Sequence, residues 1–168
     1  MEKDQLFMVG GVLLVCVLGF AGIMFFAPKT VPLADKTNRE IALSCTTDMA
    51  TQFHIHPLLK IVIDGVEAPI PANIGIVAGC MNAIHTHTED GMLHVEAPVQ
   101  RDFTLGDFFA VWDKPFSKDA IFDKVADDTH AITMTVNGEA VDSFENLVLK
   151  DADQIGRLRS RRGAQIKL

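Results

Sequence analysis

The chain has 168 residues, three cysteines and a formal net charge of −7 at pH 7. That acidic balance argues against a nucleic-acid surface, which needs a basic face for the phosphates. The one basic run, Arg157-Leu-Arg-Ser-Arg-Arg162, lies near the C-terminal end, where a solvated tail explains it better than contact with phosphates or lipid headgroups.

Residues 6–27 are apolar without a single charge. At 1.5 Å per residue about 20 residues span a hydrocarbon core, so this run is long enough to cross a bilayer. A cleaved signal peptide is the rival, but its apolar region would be shorter, and the Gly19-Phe-Ala21 cleavage candidate sits inside the run. Cys16 lacks the preceding small residue that a lipoprotein site wants. The reading is a transmembrane anchor over 1–28, followed by a polar linker over 29–51 that contains Pro32 and has room for a short helical turn. Lys29, Lys36 and Arg39 follow the run and only Lys3 precedes it, which leans towards a cytoplasmic domain. A first helix often acts as a signal-anchor, however. Cys45 and Cys80 form an even pair that permits one disulfide, with two buried free thiols as the alternative. The balance places a single-pass protein in the cytoplasmic membrane with its domain on the extracytoplasmic side.

The folded domain is expected over 52–160, with a basic tail at 161–168. Asp64-Gly65, Asp90-Gly91 and Asn137-Gly138 each signal a two-residue hairpin. His54-Ile-His56 reads as strand, with Phe53 and Ile55 alternating onto a buried face. Segments 59–63 and 66–70 form the first hairpin, and Pro69 and Pro71 make its second arm an edge or an exit. Segment 73–79 is apolar and Gly-rich, a loop that brings Cys80 and the second histidine block towards the first. A turn at Asp90-Gly91 pairs His87 with His94 and His85 with Glu96. A helix follows over 104–114, with Thr104 as N-cap, Asp107 at its third position, and Phe108, Phe109, Val111 and Trp112 as a core-facing stripe before Pro115. A second short helix is expected around 119–125, then a hairpin across Asn137-Gly138 and a last strand over 154–158. The order of hairpins, helix and hairpin gives an α+β fold, a helix packed on antiparallel sheet, behind the transmembrane helix.

Five of the six histidines lie between positions 54 and 94. Alternate residues of a strand share a face, so the expected hairpin carries His85, His87, His94 and Glu96 together. Three imidazoles and a carboxylate on neighbouring positions are a candidate transition-metal site, with His54 and His56 as further ligands. A solvated outer face is the alternative. Such a ligand set suits copper or zinc and fits calcium or magnesium poorly, because those ions want oxygen. Met81 and Met92, close by in sequence, suit Cu(I) or simply fill core. With Glu96 as a ligand the site is closed; with Glu96 orienting His85 from behind, a position stays open for water or substrate. There is no Gly-x-Ser-x-Gly elbow, no phosphate-cradling glycine loop and no Cys-x-x-Cys, so no catalytic residue is assigned. Cys80 lies five residues before His85, but a disulfide or a buried thiol suits it better than a catalytic pair.

An ordered set of motifs runs through the domain: His54-Ile-His56, Ile61-Val-Ile-Asp-Gly65, Ile70-Pro-Ala-Asn-Ile-Gly-Ile76, Cys80, Ile84-His-Thr-His-Thr88, Leu93-His-Val-Glu96 and Phe103-Thr-Leu-Gly-Asp-Phe-Phe-Ala-Val-Trp112. The set resembles a family of uncharacterised, mostly membrane-anchored archaeal and bacterial proteins, and covers roughly residues 52 to 158. The family brings little function with it. Many relatives extend the first block to His-x-His-x-His, where this chain has Leu58, and place Asp where it has Thr88. The C-terminal part also resembles the end of a β-grasp domain, but the closing Gly163-Ala-Gln-Ile-Lys-Leu168 lacks the Gly-Gly that a sulfur-carrier role needs. The expected function is a membrane-anchored metal-binding module, for copper or zinc, in metal delivery, buffering or assembly of a membrane metalloenzyme. The alternative is a non-catalytic accessory subunit of a membrane complex, with the histidines at a polar interface.

Overall fold

The structure, a computed structural model, describes residues 31–47 and 51–161. Short strands dominate them: β1 (Cys45–Thr46), β2 (Phe53–Ile55), β3 (Leu58–Ile63), β4 (Val66–Ala68), β5 (Ile76–Val77), β6 (Cys80–Asn82), β7 (Ile84–His85) and β8 (His94–Ala97), then β9 (Ala120–Ile121), β10 (Lys124–Val125), β11 (His130–Val136), β12 (Glu139–Val141) and β13 (Gln154–Arg161). Two α-helices accompany them, α1 (Asn38–Ala42) and α2 (Leu105–Val111). The chain divides into two units, Met1–Asp35 and Lys36–Leu168. In the first, the described element is a 3-10 turn, Leu33–Asp35.

The largest sheet has the order β12-β11-β13-β3-β4. Two antiparallel hairpins flank β13, which runs parallel to β3. The hairpins turn where the Asx-Gly pairs stand, with Ile63 opposite Val66 and Val136 opposite Glu139. All four turn residues have positive φ, as a two-residue turn matched to strand twist requires. Alternation then sorts the faces: Leu59 and Ile61 are buried while Leu58 and Lys60 are exposed. These apolar faces join Ile55, Ile84, Val95, Phe103, Phe108, Phe109, Ile132, Met134 and Ile155 in one core.

Helix α2 is closed at its start by a reciprocal capping box between Thr104 and Asp107. Asp107 is buried but well supplied with donors: Thr104 N–H and Oγ1–H reach Oδ2 at 2.8 and 3.1 Å, and Arg39 Nε lies 2.9 Å from Oδ1. Through that ion pair α1 is fastened to α2, and Ile41 and Ala42 enter the core. Part of the stretch read as linker is therefore built into the folded unit. Its own capping box, Thr37 with Glu40, starts α1. Cys45 and Cys80 are disulfide-bonded, with Cα atoms 5.5 Å apart, and the bond joins two neighbouring strands of the order β1-β6-β5.

Three expectations are corrected. The fold is mostly β-sheet rather than α+β, because two short α-helices accompany thirteen strands among the described residues. The short helix expected around 119–125 is instead the β9–β10 hairpin. Ile121 pairs with Lys124 there, and Phe122 turns the chain at φ 54° without the glycine that would have signalled a turn. No helix among the described residues is long and apolar enough to cross a membrane. On that finding the transmembrane helix leaves the fold class, and the single-pass, extracytoplasmic placement in the cytoplasmic membrane is withdrawn. The apolar run at 6–27 lies outside the described residues, as do positions 162–168 of the basic tail.

Candidate metal centre

Strand β8 lies between β2 and β7 in a three-stranded antiparallel sheet. Val95 pairs with Ile55 on one side and Ile84 on the other, and all three are buried. The opposite face belongs to the histidines. His54 stands opposite Glu96 and His94 opposite His85. Carrying the β2–β8 register two residues on brings His56 to His94, their ring centroids 4.7 Å apart.

The expected pairing of His87 with His94 is thus corrected by two residues, and Asp90-Gly91 is not a two-residue hairpin turn. Residues 86–93 form a loop held from three directions. Thr86 is fully buried: its Oγ1–H donates to Pro71 O at 2.8 Å and its Oγ1 accepts from Ile74 N–H at 3.0 Å. Asp90 Oδ1 accepts from Met92 N–H at 3.0 Å and Thr88 Oγ1–H at 2.8 Å, closing a side-chain-mediated turn. Gly91 has φ +81° and lies against β3, where its carbonyl accepts from Leu59 N–H at 2.9 Å and a Cβ would strike the Leu59 carbonyl oxygen. Glycine is needed there for close approach. Because strand side chains alternate with period 2, a slip of two leaves His85 and His94 on the face where alternation put them.

The face gathers five imidazoles into two groups of three that share His94: His54, His56 and His94 form one, His85, His87 and His94 the other. Within each group the candidate nitrogens lie within 4.8 Å of one another. His54 Nε2 is 3.5 Å from His94 Nδ1, and His85 Nε2 is 3.2 Å from His87 Nε2. A tetrahedral ion with metal–nitrogen bonds of 2.0–2.1 Å sets its ligands about 3.3–3.4 Å apart, so each group already contains one edge near that length.

The groups differ in their supports. His85 is fully buried, and its Nδ1 lies 3.0 Å from Asn82 O. A carbonyl only accepts, so Nδ1 carries the proton and the Nε2 lone pair faces His87. The sequence leaves Glu96 either as a ligand beside His85 or as the group that orients it. In the structure Glu96 instead places Oε1 3.0 Å from His54 Nε2, on the other side of β8. His56 is held by a residue the sequence did not single out: Asp151 Oδ1 accepts its backbone N–H at 2.9 Å. Nothing near position 151 announces that contact, which depends on β13 arriving beside β3. By register Met92 shares the outward face with His94, bridged to Leu58, whereas Met81 pairs with Thr46 and Ile76 in the neighbouring sheet. The sixth histidine, His130, lies with Asp127 and Asp64 and takes no part.

Electrostatics favour the ligating form at the centre. Burial, and then the charge that His87, His56, His85 and His54 would carry, push His94 down to about 4. Burial likewise lowers His85, partly offset by its hydrogen bond to Asn82 O. Both rings are neutral near pH 7, with a lone pair available to a cation. No protein-family model, curated protein or solved structure matches this chain.

Proposed function

We propose that this protein is a metal-binding module for copper or zinc, acting in metal delivery, buffering or the assembly of a metalloenzyme. The observation that carries the reading is the pair of three-imidazole groups with nitrogens within 4.8 Å. Solvated histidines on a strand have no need to converge. Here they converge around a ring whose protonation the surroundings oppose, and a neutral imidazole is what a transition metal requires. An all-nitrogen set with a nearby carboxylate binds Cu²⁺ more tightly than Zn²⁺ by intrinsic affinity.

The test is equilibrium dialysis of the full chain against Cu²⁺ and Zn²⁺ in turn, each buffered by free glycine, with bound metal counted. At least one equivalent is expected in the wild type, and a severe loss in His94→Ala, with circular dichroism confirming that the variant is folded. Wild-type binding below roughly a tenth of an equivalent, the level of adventitious metal, would overturn the reading, since affinity depends directly on these ligands. That result would favour an accessory subunit whose histidines line a polar interface.

A further inference from the structure

His94 belongs to both groups of three. An imidazole has two nitrogens on opposite edges of the ring, so it serves two ions only by giving one nitrogen to each. Nδ1 of His94 is turned to the outer group, 3.5 Å from His54 Nε2. A second ion would have to use Nε2; around the ring the His87 centroid lies 4.6 Å away and the His85 ring is stacked at 5.6 Å. His56, on the outer side, lies edge-on at 4.7 Å. Imidazoles of both groups thus lie 4.6 to 5.7 Å from the shared ring.

We propose that the cluster holds two ions at once, with the His94 imidazolate bridging them; the proposal rests on the metal-binding reading above. The outer ion takes His54, His56 and His94, with the Glu96 carboxylate beside it, 3.0 Å from His54 Nε2. The inner ion takes His85, His87 and His94 and keeps one position for water or an exogenous ligand. A neutral ring has one lone-pair nitrogen and one N–H. The second metal–nitrogen bond therefore forms as that N–H proton passes to solvent, and the bridging ring releases one proton when the second ion enters. No electron changes hands. Two borderline divalent cations, two Cu²⁺ or one Cu²⁺ with one Zn²⁺, are the class that fits an imidazole-only bridge.

The test uses the full chain titrated with Cu²⁺ alone, followed by counted metal, electron paramagnetic resonance and proton release. Two equivalents are expected. The resonance signal should grow over the first equivalent and fall over the second, as the bridged spins pair, with one extra proton released in that phase. The exposed half-site variants, His54→Ala with His56→Ala and separately His87→Ala, should each bind one equivalent with a full, uncoupled signal. Saturation at one equivalent in the wild type would overturn the two-ion proposal and leave metal binding standing. So would two equivalents at full signal intensity, because two uncoupled ions share no bridge. No bound metal at all would overturn both.

Discussion

The two halves of the histidine face are built from the same side chain and differ in what stands behind it. In the inner half, His85 is buried and committed to one tautomer by a backbone carbonyl at 3.0 Å. In the outer half, the His54 and His56 side chains are 41% and 39% exposed, and their supports are the carboxylates Glu96 and Asp151. A buried, oriented ring loses little freedom when it binds an ion and has one nitrogen to offer. An exposed ring beside a carboxylate gains charge neutralisation but remains open to solvent and to competing ligands. The difference teaches that an imidazole can be fixed by a buried backbone carbonyl, which sets its tautomer, or by an exposed carboxylate, which supplies charge.

The largest effect expected is from Gly91→Ala. The left-handed φ of +81° and the collision with the Leu59 carbonyl leave an added methyl no room, and the Leu59 N–H loses its acceptor if the loop moves away. A loss of about 3 kcal/mol follows from one strained residue plus one unmade buried hydrogen bond, readable as a lower urea midpoint. His87 rides on this loop, whereas His54 and Glu96 sit on paired strands. The inner half should therefore lose metal first. Equal losses from both halves would end the distinction between them.

Next comes acid. In the metal-free protein His94 is held at about 4 against an ordinary 6.5, mainly by burial, and His85 is lowered too. The unfolded chain then takes up protons at these positions before the folded one does. Their contribution to stability is complete above about pH 6.5 and declines as pH falls towards about 4, where His94 itself titrates. Urea midpoints measured in EDTA at about pH 7 and about pH 5 should differ by less in His94→Ala than in the wild type. An unchanged difference would mean that the shared ring is not the group opposing protonation.

Much of this was legible in the sequence, for reasons that can be located. Asp64-Gly65 and Asn137-Gly138 supply the positive φ that their hairpins need, and Thr104 with Asp107 supplies a helix start. Asp90-Gly91 carries the same letters, but there the aspartate closes a loop through its side chain and the glycine makes room for β3. Dipeptide composition does not separate those uses. The register differs from the expected one by two residues, an even number, so His85 and His94 keep their face. The joining of His54 to Glu96 across β2 and β8 is a contact between distant segments that strand alternation alone does not assign. Thr37-Asn-Arg-Glu40 has the spacing of a capping box, and the short helical turn expected in the linker is α1.

Glu96→Gln separates the halves without touching a histidine. Glutamine keeps an oxygen that can accept from His54 but removes the charge 3.0 Å from its Nε2. Affinity at the outer half should fall about tenfold, the low end for groups that support or complete a metal site. The inner half, oriented by Asn82, should hold its ion unchanged. Parallel loss in both would show that Glu96 acts on the whole cluster.

Asp151→Asn should be the mildest change. The amide oxygen can still accept the His56 backbone N–H, so the strand exit keeps its anchor. What disappears is a negative charge 4.0 Å from His56 Nδ1, between side chains exposed by 39% and 65%. At that exposure water and salt screen most of the interaction. A loss of about two- to threefold at the outer half is expected at low ionic strength, vanishing in roughly 1 M salt, where the Debye length is about 3 Å. Competition titrations at both salt concentrations decide the matter. A loss that persists in high salt would mean that Asp151 positions His56 through geometry. The outer half would then be held by geometry, as the inner one is, and charge would not be what separates them.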